Sequence, residues 1–193
     1  MRRQVLIYLG IFICFYIAAM GMALLSQPTL FSNILGLFSV GFYICSLLPG
    51  LFSSVLPSLR KQKLIILFLK HRRFLGVSAF MLALNHGALQ FVKRNISLLE
   101  PSTYLHYFQG LSMMVIMTIL AITSSDESVK DLKKNWKKLH RLTYLIIIFL
   151  PWHIIDKMSG RWSFLTPISI LLSTMMLVFF SMRFYKERCR LLI

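Results

Sequence analysis

The sequence predicts an all-α integral membrane protein with six transmembrane helices and both termini in the cytoplasm. Of its 193 residues, 57% are hydrophobic, the mean hydropathy is +0.71, and only six side chains are acidic. This is more apolar surface than one soluble domain can bury, so we expect membrane lipid around the chain. The formal charge of +16 does not indicate a nucleic-acid binder, because the basic residues lie in short clusters between long apolar runs.

Six stretches are apolar over roughly the 20 residues that a spanning helix needs, or nearly so. They lie at about residues 5–25, 33–57, 74–92, 108–123, 142–156 and 163–182, in a single domain over residues 1–193. The fourth and fifth are short, so we expect their ends to continue into the polar flanks. The first has a longer apolar run than the ~7 to 15 residues of a signal-peptide core, and we interpret it as a retained helix.

The distribution of basic residues supports six spans, because Lys and Arg concentrate in cytoplasmic loops. With the N-terminus inside, 18 of the 22 basic residues fall in inner segments and four in outer ones, namely Lys93, Arg94, Lys157 and Arg161. Adding or removing one helix would destroy this asymmetry. The same orientation makes the third and fifth helices parallel, since both enter from the cytoplasm.

Two histidines on these parallel helices are predicted to lie at matching depth. His86 follows Arg73, the last basic residue before helix three, by 13 residues, and His153 follows Arg141, the corresponding residue before helix five, by 12. Both lie roughly 18 to 20 Å along their helices at 1.5 Å per residue. A histidine inside a bilayer is costly without compensation. A metal between the two rings would compensate both, and bis-imidazole haem iron suits such an apolar pocket.

His140 is a third candidate, at the cytoplasmic edge of helix five. It could serve a second haem near the inner face, help to hold a flavin, or simply face water. Its 13-residue separation from His153 is not a whole number of helical turns, so a straight helix would point the rings apart, unless Pro151 bends it. The matching position on helix three is Arg73, which could pair with haem propionates or a flavin phosphate. His71 is a weaker candidate ligand.

The residues that carry these features also carry a family resemblance. The segments RRFLGVSAFMLALNHGALQF at 72–91 and LAITSSDESVKDLKKNWKKLHRLTYLIIIFLPWHI at 120–154 resemble the ferric reductase-like transmembrane domain family. Within that family they are most similar to the bacterial haem-binding subunits that serve periplasmic methionine sulfoxide reduction. The motifs RR-x-LGL-x-AF-x(4)-LH and W-x-x-LH, with a second histidine 13 residues on, carry the likeness. Asn85 departs from the pattern, which usually has an apolar residue there.

The resemblance implies haem b, one or two per chain, with His86 and His153 as iron ligands and His140 as a further haem-associated histidine. It also implies FMN or FAD at the cytoplasmic side and a cytosolic flavin reductase as electron donor. Electrons would cross the inner membrane to a periplasmic acceptor, a molybdopterin reductase in the methionine sulfoxide system.

Whether the chain is an enzyme by itself stays open, since it has no glycine-rich loop for NAD(P)H. The alternatives are a ferric-chelate reductase component and, in another class, a cofactor-free structural or transport protein of the membrane.

Overall fold

A computed structural model describes residues 28–94, 96–97, 99–158 and 163–191. The predicted first span, about 5–25, therefore lies outside the described residues, and the predictions of six spans and cytoplasmic termini stay predictions. Within the described residues the secondary structure is helical. The helices are α1 (Pro28–Val55), α2 (Lys63–Lys70), α3 (Arg72–Lys93), α4 (Pro101–His106), α5 (Phe108–Ile122), α6 (Asp126–Leu132), α7 (Lys134–Leu139), α8 (Thr143–Met158) and α9 (Leu165–Leu191), with 3₁₀ turns at Pro57–Lys61 and His140–Leu142.

Four helical segments in the described part of the chain are long and apolar enough to cross a membrane. They are Phe31–Val55, Arg72–Lys93, Lys134–Met158 and Leu165–Cys189. The third joins α7, a 3₁₀ turn and α8, as expected for a fifth predicted span that continues into its polar flank. These segments make the chain a multi-pass membrane protein.

The predicted fourth span behaves differently from the expectation. Its helix α5 has 15 residues, about 22 Å, which is less than the ~30 Å hydrocarbon core of a bilayer. Instead of continuing straight, the chain turns by 94° before α6. Ser125 caps α6 by accepting a hydrogen bond from the Ser128 amide at 3.0 Å, and two acidic residues follow in its first turn. This local capping starts a new helix rather than extending α5.

Five helices pack as a closed ring. Neighbours in contact run in the order α1, α3, α5, α8 and α9, and α9 returns to α1. At one end of the ring, which we call the Arg72 end, Lys186 of α9 donates to the carbonyl of Val55 at 3.1 Å. At the other, the Lys93 end, Gln109 of α5 lies against Asp156 of α8. From α1 through α3, α5 and α8 to α9 the helices therefore alternate in direction, whereas α9 and α1, which close the ring, run parallel.

Small residues let α1 and α3 approach closely. Ser32, Ser39 and Ser46 follow each other at seven-residue intervals on α1 and are all buried. Ser39 donates to the carbonyl of Ala79 at 2.8 Å, and Ser32 hydrogen-bonds His86, seven residues further along α3. The matched spacing shows an antiparallel pair held in one register. Small side chains with interhelical hydrogen bonds are the usual means of such packing in membranes.

The apolar core of the ring lies towards the Arg72 end, below the histidines. Its buried hydrophobic members are Val40, Tyr43, Ile44, Leu47 and Leu51 of α1, Ala79 of α3, Met113 and Met117 of α5, Ile146 and Ile147 of α8 and Met176 of α9. Tyr43 crosses this core and donates its hydroxyl to the carbonyl of Thr143 at 2.6 Å. That bond fixes α8 against α1, and so fixes the position of the histidine that α8 carries.

Candidate cofactor site

A cavity of about 420 Å³ lies inside the ring and is lined by all five of its helices. Its walls are mainly apolar and include Val40, Leu150 and three methionines of α5. Both of the histidines predicted to lie at equal depth line it, His86 from α3 and His153 from α8. The structure thus brings the two candidate ligands of the sequence to one site.

The ring of His86 is held by α1. Its Nδ1 lies 2.7 Å from the backbone carbonyl oxygen of Ser32 and 3.2 Å from the Ser32 hydroxyl. A carbonyl oxygen can only accept, so Nδ1 carries the proton and donates it. In a neutral imidazole this leaves the lone pair on Nε2 for a metal, and metal-ligating histidines are generally oriented in this way.

His153 lacks such support. Its Nδ1 is buried and has no hydrogen-bond partner among the described residues. Gln109 on α5 shows the same state at its Oε1 atom, and these are the two such side-chain atoms in the described part of the chain. Native structures seldom leave buried polar atoms unsatisfied, and each exception calls for an explanation. One explanation is that the ring of His153 is oriented to bind a ligand.

A glycine stands beside each histidine. A Cβ built on Gly36 of α1 would lie 3.0 Å from Nδ1 of His86, and one built on Gly110 of α5 would lie 3.2 Å from Cε1 of His153. In both places even a methyl group would crowd the imidazole. The two glycines therefore leave room for the rings on the walls of the cavity.

The cavity is apolar along most of its depth and polar at the Lys93 end. Arg94 and Lys157 line it there. Arg94 donates from Nε to the carboxamide of Gln90 at 3.1 Å, and Gln90 donates in turn to Asn33 of α1 at 3.3 Å. Lys157 pairs with Asp156 at 2.7 Å. This end therefore offers two cations to the acidic groups of a ligand.

His140, the third candidate, does not line this cavity. Its ring stacks on Trp136 with centroids 4.0 Å apart, and Nε2 lies 3.3 Å from Oγ1 of Thr123. Trp136 itself donates to the carbonyl of Thr123 at 2.8 Å. These contacts tie the start of the long span to the end of α5, at the Arg72 end of the ring.

Arg73 forms an ion pair with Asp126 of α6 at 2.5 Å, with both side chains about half exposed. The hydrogen bond and charge of Arg73 hold the pKa of this carboxyl group, which lies outside the spanning helices, below its ordinary value. His71 lies between α2 and α3, where its amide donates to the carbonyl of Leu67. His106 is exposed and meets the Tyr107 ring edge-on. None of the three lines the cavity.

Several residues of this site carried no signal in the sequence. Ser32, Gly36 and Gly110 are common residue types in membrane helices, and only the packing places them and Gln109 close to the helices that carry the histidines. The sequence gives one usable hint: Gly36 follows Ser32 by one helical turn, on the face that carries Ser39. Such a stripe of small residues indicates a close helix contact, but not its partner.

The residues of the cavity fit a haem. Imidazole is among the side chains that hold haem iron, and His86 and His153 would present two imidazoles to such a group from different helices. The apolar walls and the two glycines agree with a large, flat, mainly apolar group. Among the described residues no three His, Cys, Asp or Glu side chains cluster as ligands of a bare metal ion.

Comparisons with known proteins identify the family of this chain. A family model described as ferric reductase like transmembrane component matches residues 35–151, a range that includes His86 and His140 and ends two residues before His153. No solved structure matches the chain.

Curated relatives from Brucella species carry the name protein-methionine-sulfoxide reductase heme-binding subunit MsrQ. The protein from Brucella anthropi is 32% identical over 138 residues, which cover 69% of this chain and 59% of the relative. Those from Brucella melitensis biotype 2 and Brucella ovis are 30% identical over the same shares. The chain thus spans about 59% of the length of these relatives. On the strength of the family match, the chain belongs to the ferric reductase like transmembrane components.

Proposed function

We propose that this protein is a membrane electron-transfer component that binds haem b between His86 and His153. One observation carries the proposal: a mainly apolar cavity inside the helix ring is lined by two imidazoles from different helices. The name of the relatives, heme-binding subunit, supports the same cofactor. Haem iron held by two imidazoles supplies one-electron transfer with no open position for oxygen.

The residues of the chain have distinct parts in this proposal. His86 presents Nε2 because Ser32 holds its Nδ1, while His153 closes the site from α8. Arg94 and Lys157 face the Lys93 end with positive charge that suits the carboxylates of a haem. The apolar walls exclude water and lower the local dielectric constant, one of the means by which proteins set a haem potential.

The direction of electron flow and the partners extend the proposal. We place the chain in the inner membrane and take the donor to be a cytosolic flavin reductase, with FMN or FAD bound at the basic Arg72 end. We take the acceptor to be a methionine sulfoxide reductase on the periplasmic side, with a molybdopterin cofactor. The relatives' name, which places them as subunits of a methionine sulfoxide reductase, supports this acceptor over a ferric chelate.

The test uses the purified chain in liposomes. An NADH-driven flavin reductase is added outside, and either a membrane-impermeant ferric chelate or a periplasmic methionine sulfoxide reductase with its substrate is enclosed. The proposal predicts NADH oxidation coupled to the enclosed reductase, dependent on His86 and His153. Reduction of the chelate alone would favour a ferric reductase. A chain that carries no haem and supports neither reaction would contradict the proposal.

A further inference from the structure

Two buried side-chain atoms without hydrogen-bond partners lie on the neighbouring helices α5 and α8, towards the Lys93 end of the ring, and their chemistry is complementary. Nδ1 of His153 and Oε1 of Gln109 are the buried side-chain nitrogen and oxygen atoms without a hydrogen-bond partner in the described part of the chain. Nδ1 becomes a donor when it carries a proton, and the carboxamide oxygen Oε1 is an acceptor. Gly110, next to Gln109, brings the backbone of α5 close to the His153 ring. A Cβ built on Gly110 would lie 3.6 Å from Nδ1 of that ring.

The orientation of the Gln109 side chain follows from its other contact. Its Nε2 donates to Oδ2 of Asp156 at 3.3 Å, and Lys157 holds the same oxygen at 2.7 Å. Turning the carboxamide over would set Oε1 against a carboxylate, two acceptors with no proton between them. Asp156 therefore fixes the carboxamide with Oε1 directed away from the carboxylate. Because Gln109 is buried, water has little access to hydrogen-bond that oxygen.

A histidine that ligates a metal through Nε2 carries its proton on Nδ1, and that proton almost always has an acceptor. For His86 the acceptor is the Ser32 carbonyl. For His153 the described residues form no such bond, and Oε1 of Gln109 is the buried side-chain oxygen among them that lacks a donor. We propose that Gln109 is a positioning residue for the haem site: its Oε1 accepts from Nδ1 of His153, and Asp156 holds it in place for that bond.

The inference rests on the proposed function and makes the two axial ligands unequal. His86 is held by a backbone oxygen, which no substitution at Ser32 removes. His153 is held by a side chain, so its basicity depends on Gln109. An acceptor on Nδ1 raises the basicity of the ligand, which favours ferric over ferrous iron. Losing it should raise the midpoint potential and weaken haem binding.

The experiment compares the wild-type chain with Gln109→Leu, which loses the acceptor, and with Gln109→Glu, which keeps an acceptor but replaces the hydrogen bond to Asp156 with a like charge. Thr118→Val on the same helix is the control, because its hydroxyl only donates to the Met114 carbonyl one turn earlier. Each purified protein is titrated with haem and then with a redox mediator. Gln109→Leu should bind haem roughly 10-fold more weakly. Its midpoint potential should rise by up to about 59 mV, which corresponds to a tenfold change in a one-electron equilibrium constant.

Gln109→Glu should have a potential at or below that of the wild type, and Thr118→Val should not differ from it. A Gln109→Leu protein with unchanged haem affinity and midpoint potential would overturn the inference. The proposed function would still stand if the wild type showed a bis-histidine haem spectrum. A wild-type chain that binds no haem would overturn both.

If Gln109→Leu does not fold, ¹⁵N-histidine spectra of the ferrous wild type decide. A solvent-protected Nδ1 proton on His153 supports the inference, and rapid exchange of that proton with water overturns it.

Discussion

Gly36 and His86 face each other across the α1–α3 interface, where a hydrogen bond to Ser32 holds the imidazole in place. A Cβ at residue 36 would lie 3.0 Å from Nδ1, the atom that donates to the carbonyl of Ser32 at 2.7 Å. A Cβ at Gly110 would lie at a similar distance from Cε1 of His153, 3.2 Å, but no residue in the described part of the chain hydrogen-bonds the His153 Nδ1 in this structure. The two glycines therefore differ in how much a methyl group at each would cost.

Gly36→Ala should displace His86 and lower the amount of haem bound to the purified protein severalfold. Gly110→Ala should have a smaller effect, since the His153 ring can shift. Gly41→Ala on the same helix is the control, because nothing lies within 4 Å of a Cβ there. Haem content per protein measures all three. Equal haem content in Gly36→Ala and Gly41→Ala would show that His86 does not need this space.

Tyr43→Phe should destabilise the ring. The substitution removes the hydroxyl that donates to the Thr143 carbonyl at 2.6 Å and joins α1 to α8. Buried interhelical hydrogen bonds of this kind contribute about 1 kcal/mol. The free energy of unfolding in detergent, measured by denaturant titration, should fall by about that amount. Tyr185→Phe on α9, where the side chain is 73% exposed, should change it little; equal losses in both variants would argue against the interhelical role.

The ion pair of Arg73 with Asp126 should give a pH-dependent contribution to stability. Arg73 holds the pKa of Asp126 below its ordinary value of 3.8, so the carboxylate is favoured in the folded chain. The contribution is complete above pH 3.8 and is lost as pH falls through the lower folded value. Asp126→Asn should therefore be less stable than the wild type at neutral pH, by an amount that shrinks in acid. Glu127→Gln, one residue on, is the control. A difference that stays constant below pH 3.8 would contradict this assignment.

His140→Ala should leave the haem between His86 and His153 in place. The His140 ring packs on Trp136 and Thr123 and does not line the cavity. The haem-to-protein ratio and the absorption spectrum of the purified variant test this. A fall from two haems to one would show that His140 serves a second site at the Arg72 end. Complete loss of haem would contradict the placement of the cavity site.

The sequence anticipated that His86 and His153 come together, but it did not anticipate the course of the fourth predicted span. Counting residues from Arg73 and Arg141 put His86 and His153 at equal depth because helical rise is constant, and both line one cavity. The same regularity misses the turn after α5, which depends on capping by Ser125 rather than on hydropathy.

The contacts between helices could not be predicted from the sequence, for another reason. Gln109 and Ser32 gain their importance from neighbours that are distant in the chain, Asp156 and His86. A single sequence carries no record of which helix faces meet. The short helix α2, with exposed apolar side chains at Leu64, Ile66 and Leu67, was not predicted either, because its eight residues lie inside a basic loop.

The most direct test of the central claim is the reduced-minus-oxidised absorption spectrum of the purified chain and of His86→Ala and His153→Ala. His106→Ala, an exposed histidine near the same end of the ring, is the matched control. We predict a low-spin haem b spectrum in the wild type and the control, and its loss or conversion to high spin in each of the other two. An unchanged low-spin spectrum in His86→Ala or His153→Ala would contradict the account.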